Sequence, residues 1–282
     1  MIRKLNRRIH QIWLESPTGI SKDKYDDFSK TYKDYAKKHN WEYYLWDDDT
    51  SQEFVKKEFP EYFDDFNNLD SVIKKADCLR YMVLYIMGGL YVDMDSYLKG
   101  SLEKFIRHKY IIRDTGERIK KQHDGVDWNL KPKLYIKHDY DIIVGQEKTL
   151  NQFYYDKFGL RINKINNAVI FAKERHPLFI RLIEDGFRNK DNSIYNSFGV
   201  NSFMNILFLY MSEFVNNMID TNKYKIKSGI LCLPYIYFYE MDVDDESYLE
   251  WGGKKELVND KRQIIVHKFD SNWDDKTDIP KK

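Results

Sequence analysis

The stretch from Ala76 to Asp95, ADCLRYMVLYIMGGLYVDMD, constrains this chain more than any other. Apolar residues recur at helical spacing over 70–87, the paired glycines Gly88 and Gly89 predict the helix end, and Leu90 to Met94 predicts a strand. On a wheel of about 100° per residue, Leu79, Met82, Val83 and Ile86 form one face, expected to dock on a sheet. Asp77, Arg80, Tyr81 and Leu84 form the other. Asp77 and Arg80 are i, i+3 neighbours, and on a solvated surface such a pair would contribute only about 0.2–0.5 kcal/mol.

The strand gives that pair a context. Alternation along LYVDMD directs Leu90, Val92 and Met94 one way and Tyr91, Asp93 and Asp95 the other. Two carboxylates on one face of a strand end repel each other and call for a cation. At a rise of about 3.3 Å per residue their Cα atoms would lie about 6.6 Å apart, a wide span for one small ion. Asp95 is therefore expected to bind the metal directly, with Asp93 acting through water, the ribose or the outer shell of the ion.

The surrounding pattern reads as α/β. RIHQIW at 8–13 predicts an opening strand, 22–39 an amphipathic helix, and 41–46 a second strand running into the polar turn 47–49. This βαβ opening implies parallel pairing with functional loops at the strand C-termini. Short helices are expected over 51–69, broken at Pro60. Further strands are expected at 110–113, 141–145, 168–172, 230–237 and 263–269, and further helices at 177–188 and 201–217. The polar segment 116–133 reads as a surface loop. No repeat or linker divides the chain, so a single domain over 1–282 is expected.

Bulk properties narrow the function. Lys and Arg total 46 against 45 Asp and Glu, which leaves no basic excess for nucleic acid. Two cysteines, Cys78 and Cys232, are too few for a disulfide framework or zinc cluster and fit a reducing compartment. The basic N-terminus lacks the apolar run of a signal peptide, and no stretch approaches about 20 apolar residues, so no membrane span and a cytoplasmic location are expected.

ADCLRYMVLYIMGGLYVDMD resembles the donor-sugar motif of glycosyltransferase family 32, the DXD enzymes, and is similar to the catalytic domains of large clostridial glucosylating toxins. IHQIW at 9–13 and HKFDSNW at 267–273 extend the resemblance. It implies a GT-A (Rossmann-like) fold with a single central mixed sheet and helical elaborations. A donor-binding core of about 1–115 would be closed by a C-terminal segment of about 263–275. It further implies a retaining enzyme using a nucleoside-diphosphate sugar (a UDP-sugar foremost, GDP-mannose as the alternative) and Mn²⁺ or Mg²⁺.

By that similarity Trp13 would stack on the nucleotide base, and Asp77 and Arg80 would bind donor-sugar hydroxyls or a phosphate. Tyr91, Asp93 and Asp95 would hold ribose, diphosphate and metal. His267 and Ser271 would complete the metal site, Trp273 would contact the diphosphate, and Asn167, of the pair Asn166-Asn167, would lie close to the donor. The chain departs from the commoner family-32 ending, because Asn272 separates Ser271 from Trp273. Ser197-Phe198-Gly199-Val200 stands where relatives carry a Gly-Pro turn.

Two other classes compete with this reading. A haloacid-dehalogenase-like phosphotransferase also uses Asp-x-Asp after a strand, with Asp244-Asp245 as a late metal pair, but it leaves Asp77, Arg80 and the Gly pair unexplained. A non-catalytic carbohydrate-binding relative would have kept the fold without the chemistry. An EF-hand is excluded because Tyr97 and Leu98 fall where a ligand and glycine are required. A glycan or protein hydroxyl is the expected acceptor, in polysaccharide synthesis or protein modification by a bacterial or virus-encoded enzyme. Its contacts are expected in variable loops such as 114–140 and 186–200.

Overall fold

A computed structural model describes residues 5–15, 21–106, 110–113, 133–136, 140–150, 163–218, 229–233, 238 and 264–267. In chain order the elements are β1 (Arg8–Ile12), α1 (Asp26–His39), β2 (Glu42–Trp46), α2 (Asp48–Glu58), α3 (Phe63–Asn67) and α4 (Val72–Met87). β3 (Gly89–Val92), β4 (Ser96–Leu98), α5 (Glu103–Ile106), β5 (Tyr110–Arg113), β6 (Lys133–Ile136), β7 (Ile142–Leu150) and β8 (Asn163–Ala172) follow. α6 (Pro177–Arg188), α7 (Ile194–Ser197), α8 (Val200–Met218), β9 (Ile230–Leu233) and β10 (Ile265–His267) complete the described chain.

The central sheet has six strands in the order β2-β1-β3-β8-β7-β9. β1 pairs in parallel with β2 and β3, while β8 runs antiparallel to both β3 and β7, and β7 is parallel to β9. The mixed α/β sheet expected from the sequence is therefore present. Period-2 alternation partitions its side chains between two cores. Tyr91, Ile142, Val144, Ile170 and Ala172 pack among α2, α4, α6 and α8. Leu90, Val92, Ile143, Val169 and Phe171 face α1, α5 and Ile265.

The glycine pair has a steric cause. Gly88 and Gly89 adopt φ of 58° and 99°. A Cβ on Gly88 would lie 2.5 Å from the Glu174 nitrogen, and one on Gly89 would lie 2.6 Å from the Arg8 carbonyl oxygen. Only glycine lets α4 turn into β3 so tightly against β1. Upstream, the Ser71 hydroxyl caps α4 by accepting from the Ile73 amide.

Three sequence expectations are corrected here. Asp47 is a helix cap whose carboxylate accepts from the Thr50 amide, so Asp48 and Asp49 belong to the first turn of α2 instead of a polar turn. α4 is not two-faced: Cys78, Tyr81 and Leu84 are as buried as Leu79, Met82 and Val83. α6 and α7 pack against α4, and Phe203 of α8 stacks on the Tyr81 ring. Finally, β3 ends at Val92, and Asp93 to Asp95 form a turn in which the Ser96 amide donates to the Asp93 carbonyl (3.2 Å). Strand alternation and its 3.3 Å rise therefore do not govern the two carboxylates. Residues 234–237, 263, 268–269 and most of 116–133 lie outside the described residues.

His10, at the centre of β1, gives the fold a pH signature. Its Nε2 donates to the Gly88 carbonyl (2.9 Å) and its Nδ1 accepts from Trp46 Nε1 (3.3 Å), so the neutral ring is the one that fits. Burial pushes its pKa down to about 4 from 6.5. The unfolded chain therefore protonates first, and the stability present above pH 6.5 is lost as pH falls toward 4. The loss from this group is on the order of 3 kcal/mol. Chemical denaturation at pH 7 and pH 4 is expected to show a smaller acid loss in His10→Gln than in the wild type. The other titrating groups cancel in that comparison.

Candidate active site

The site forms where β3 leaves the sheet. Arg80, on α4, reaches across to the end of β3: its Nη1 contacts Asp77 Oδ1 at 2.8 Å and its Nη2 contacts Asp93 Oδ1 at 3.0 Å. The same Nη2 donates to the Tyr91 hydroxyl (3.1 Å), and that hydroxyl donates to Asp93 Oδ1 (2.7 Å). The pair that would be a weak surface bridge in isolation is buried, with Asp77 7% and Arg80 5% exposed. Removing one partner of such a pair leaves a buried charge uncompensated.

The electrostatics follow from shared charge. Burial pushes Asp77 up to about 6, because Arg80 is divided between two carboxylates and cannot fully offset it. Burial also acts to raise Asp93, but Arg80, His267 and the Tyr91 hydroxyl outweigh it and hold that carboxyl below its usual value. Asn167, on β8, donates to Asp77 Oδ1 (3.2 Å) and to the Tyr81 hydroxyl (3.0 Å). Tyr81 in turn donates to the Phe198 carbonyl (2.7 Å).

His267 arrives from the far end of the chain. β10 pairs antiparallel with β4, in register His267 to Ser96, which sets the imidazole beside the turn. Its Nε2 lies 3.1 Å from Asp95 Oδ1 and 3.5 Å from Asp93 Oδ2. Burial alone would lower its pKa, yet the two carboxylates raise it to about 9. The carboxylate pair thus demands positive charge, and an imidazolium supplies it here. One ligand atom from each of Asp93, Asp95 and His267 can be chosen so that all three lie within 4.8 Å of one another. Two carboxylates and an imidazole are a donor set that suits a divalent ion such as Mn²⁺.

The turn itself is held by its backbone. The Asp93 carbonyl accepts from Ser96 Oγ (2.6 Å) and Gln11 Nε2 (3.3 Å), and Gln11 is held by the Tyr43 hydroxyl (2.8 Å). Tyr32 on α1 reaches Ser96 Oγ at 3.0 Å. Gln11, Ser96 and Tyr32 were not anticipated as part of the site. Each is a buried polar group whose partner lies 32–82 residues away or, for Ser96, sits in a turn that strand periodicity hides.

A cavity of about 250 Å³ gathers these groups. Asp77, Arg80, Tyr91, Asp93, Asp95, Asn167 and His267 all line it. Trp13 is not among the lining. It packs with Tyr25 and Met94, and Met94 and the adjacent Ile12 reach the cavity wall. Ser271, Trp273 and the Asp244-Asp245 pair lie outside the described residues.

The site thus sets a carboxylate turn at the end of a central strand against an Asp-Arg pair. Residues 25–112 match the family model of the glycosyltransferase sugar-binding region containing the DXD motif. The chain is 34% identical over 76 residues to the mannosyl phosphorylinositol ceramide synthase SUR1 of Saccharomyces cerevisiae, covering 27% of this chain and 20% of that protein. It is 33% identical over 101 residues to the uncharacterized glycosyltransferase L373 of Acanthamoeba polyphaga mimivirus, covering 35% and 38%. Among solved structures, the PaToxG glycosyltransferase superposes with a TM-score of 0.42 at 14% identity, covering 77% of this chain and 74% of that one. Residues 25–112 are thus similar to the DXD-type sugar-binding region of glycosyltransferases, and the chain spans well under half the length of these curated relatives. Among the described residues, no helix is long and apolar enough to cross a membrane.

Proposed function

We propose that this chain is a metal-dependent, retaining glycosyltransferase that moves a hexose from a nucleoside-diphosphate sugar to a glycan or protein hydroxyl. One observation carries the reading: the buried Asp77-Arg80-Asp93 relay opens into the same cavity as Asp95 and His267. A phosphatase or a calcium loop has no use for that relay. UDP-sugars are the favoured donors, and GDP-mannose is kept because the yeast relative is named for a mannosyl product.

In this reading Asp95 and His267 would hold Mn²⁺ or Mg²⁺, joined by Ser271, and Asp93 would act directly or through water. The ion, when bound, offsets the charge of the departing diphosphate. Asp77 and Asn167 accept and donate hydrogen bonds at the hexose hydroxyls and fix its orientation. Arg80 holds both carboxylates in place and presents positive charge toward the diphosphate. Tyr91 positions Asp93 at the ribose, while Trp13 and Trp273 contact base and diphosphate. The bond from the anomeric carbon to the diphosphate oxygen breaks with its electron pair leaving on the diphosphate. The acceptor oxygen bonds to the same face of that carbon, and its proton passes to a diphosphate oxygen. The donor core of about 1–115 and the closing segment of about 263–275 act as one catalytic unit.

Proton NMR of the first-formed product tests the stereochemistry. An α-linked donor is expected to give an α-linked glycoside. A β-linked first product would overturn the retaining mechanism.

A further inference from the structure

Tyr195 occupies the solvent end of the cavity. It is 43% exposed, whereas Asp77, Asp95 and Asn167 in the same cavity are 6–7% exposed. The cavity therefore runs from a buried charged floor to an aromatic lip, with Ile73, Ala76 and Val200 also in its wall. An exposed aromatic ring held rigidly at a cavity mouth is a binding device more than a packing residue.

The rigidity is built in on both sides of α7. Ahead of it, the buried Lys74 ammonium donates to the Lys190 carbonyl (2.7 Å). Behind it, the Phe198 carbonyl accepts from Tyr81 (2.7 Å), and the Phe198 ring fills the notch at Gly186, where a Cβ would lie 2.1 Å from the ring. Within it, Ser197 Oγ donates to the Ser193 carbonyl (3.0 Å). Because Tyr81 also bonds Asn167, which bonds Asp77, a continuous chain of hydrogen bonds fixes the lip relative to the donor floor.

The chemistry at the lip selects its ligand. Among the described residues, the basic side chains lining the cavity, Arg80 and His267, both face carboxylates. A pyranose ring presents an apolar C–H face, which matches an exposed aromatic ring in a cavity whose wall includes Ile73, Ala76 and Val200. Resting on the glycosyltransferase reading above, we propose that Tyr195 is the stacking platform for a neutral sugar ring of the acceptor, so that the acceptor is a glycan.

The test compares wild type, Tyr195→Ala, Tyr195→Phe and Tyr195→Trp. Acceptor probes are methyl glycosides of glucose, galactose and mannose, with octanol and a Ser/Thr-containing peptide as the competing hydroxyl classes. Tyr195→Ala is expected to raise the methyl glycoside KM about tenfold and to lower the ratio of transfer to donor hydrolysis accordingly. The Phe and Trp variants are expected to stay near wild type. An unchanged glycoside KM in Tyr195→Ala, or a wild-type preference for octanol or peptide, would overturn the proposal. Saturation-transfer NMR with the same glycosides reads binding without turnover. If no nucleotide sugar is consumed by wild type, the donor reading fails, while Tyr195-dependent glycoside binding still judges the platform.

Discussion

Asp95→Asn is expected to lower nucleotide-sugar turnover by about a thousandfold or more, with a separate and smaller effect on the stability of the metal-free protein. The substitution keeps the shape of the side chain and removes one charge from the Asp93-Asp95-His267 cluster. In the absence of an ion it removes carboxylate repulsion from Asp93 but also takes one of its two carboxylate partners from the buried His267 imidazole. In the presence of an ion it removes a charged ligand from the group that would hold it, and the leaving diphosphate loses its charge compensation. Thermal or chemical denaturation separates the two effects. Wild type is expected to gain about 2.7 kcal/mol when Mn²⁺ is supplied at about a hundred times its dissociation constant, and the variant to gain close to nothing at that concentration. Equal Mn²⁺ stabilisation of both proteins would remove Asp95 from the metal site.

The second large effect is expected at Arg80. Its two Nη atoms serve Asp77 and Asp93 at 2.8 and 3.0 Å, with the Tyr91 hydroxyl on the second. Lysine keeps the charge but offers one point donor on a flexible stem, so it cannot hold both carboxylates in one plane. Arg80→Lys is expected to cut kcat/KM for the donor by about a hundredfold or more, because misplacement of the groups that orient donor and ion carries through to the reacting atoms. Mn²⁺-induced stabilisation is expected to persist, which distinguishes this variant from Asp95→Asn. Arg80→Ala is the poorer test, since two buried carboxylates without their cation are expected to cost about 3–5 kcal/mol of folding stability. Donor kinetics of Arg80→Lys indistinguishable from wild type would reduce the relay to a structural ion pair.

The site was legible in the sequence to the extent that its parts are local. Asp77 and Arg80 are three residues apart on one helix, Gly88 and Gly89 mark the turn by composition, and Asp93 and Asp95 close the next strand. His267 was reached through the resemblance of HKFDSNW, and the β10–β4 pairing supplies the physical reason it lies near Asp95. Local reading failed where distant segments decide. Tyr81 and Leu84 fall with Asp77 and Arg80 on the face of α4 away from the apolar one, and nothing local announces that α6, α7 and Phe203 of α8 pack against the helix. The Asp93-Asp95 segment looked extended because its apolar-polar alternation is that of a strand. The Ser96 and Gln11 bonds to the Asp93 carbonyl make it a turn instead. That correction bears on function, since the about 6.6 Å span expected for a strand no longer separates the roles of the two carboxylates. The opening β1-α1-β2 unit, by contrast, matched closely, because its pairing joins segments adjacent in sequence.

The most direct measurement is nucleotide release from a panel of UDP-glucose, UDP-galactose, UDP-N-acetylhexosamines and GDP-mannose, each with Mn²⁺ and with a chelator. Metal-dependent turnover of one donor well above the rest, lost in Asp95→Asn, is the expected result. Equal, metal-independent background for every donor would contradict a metal-dependent donor site built on Asp77, Arg80, Asp93, Asp95 and His267.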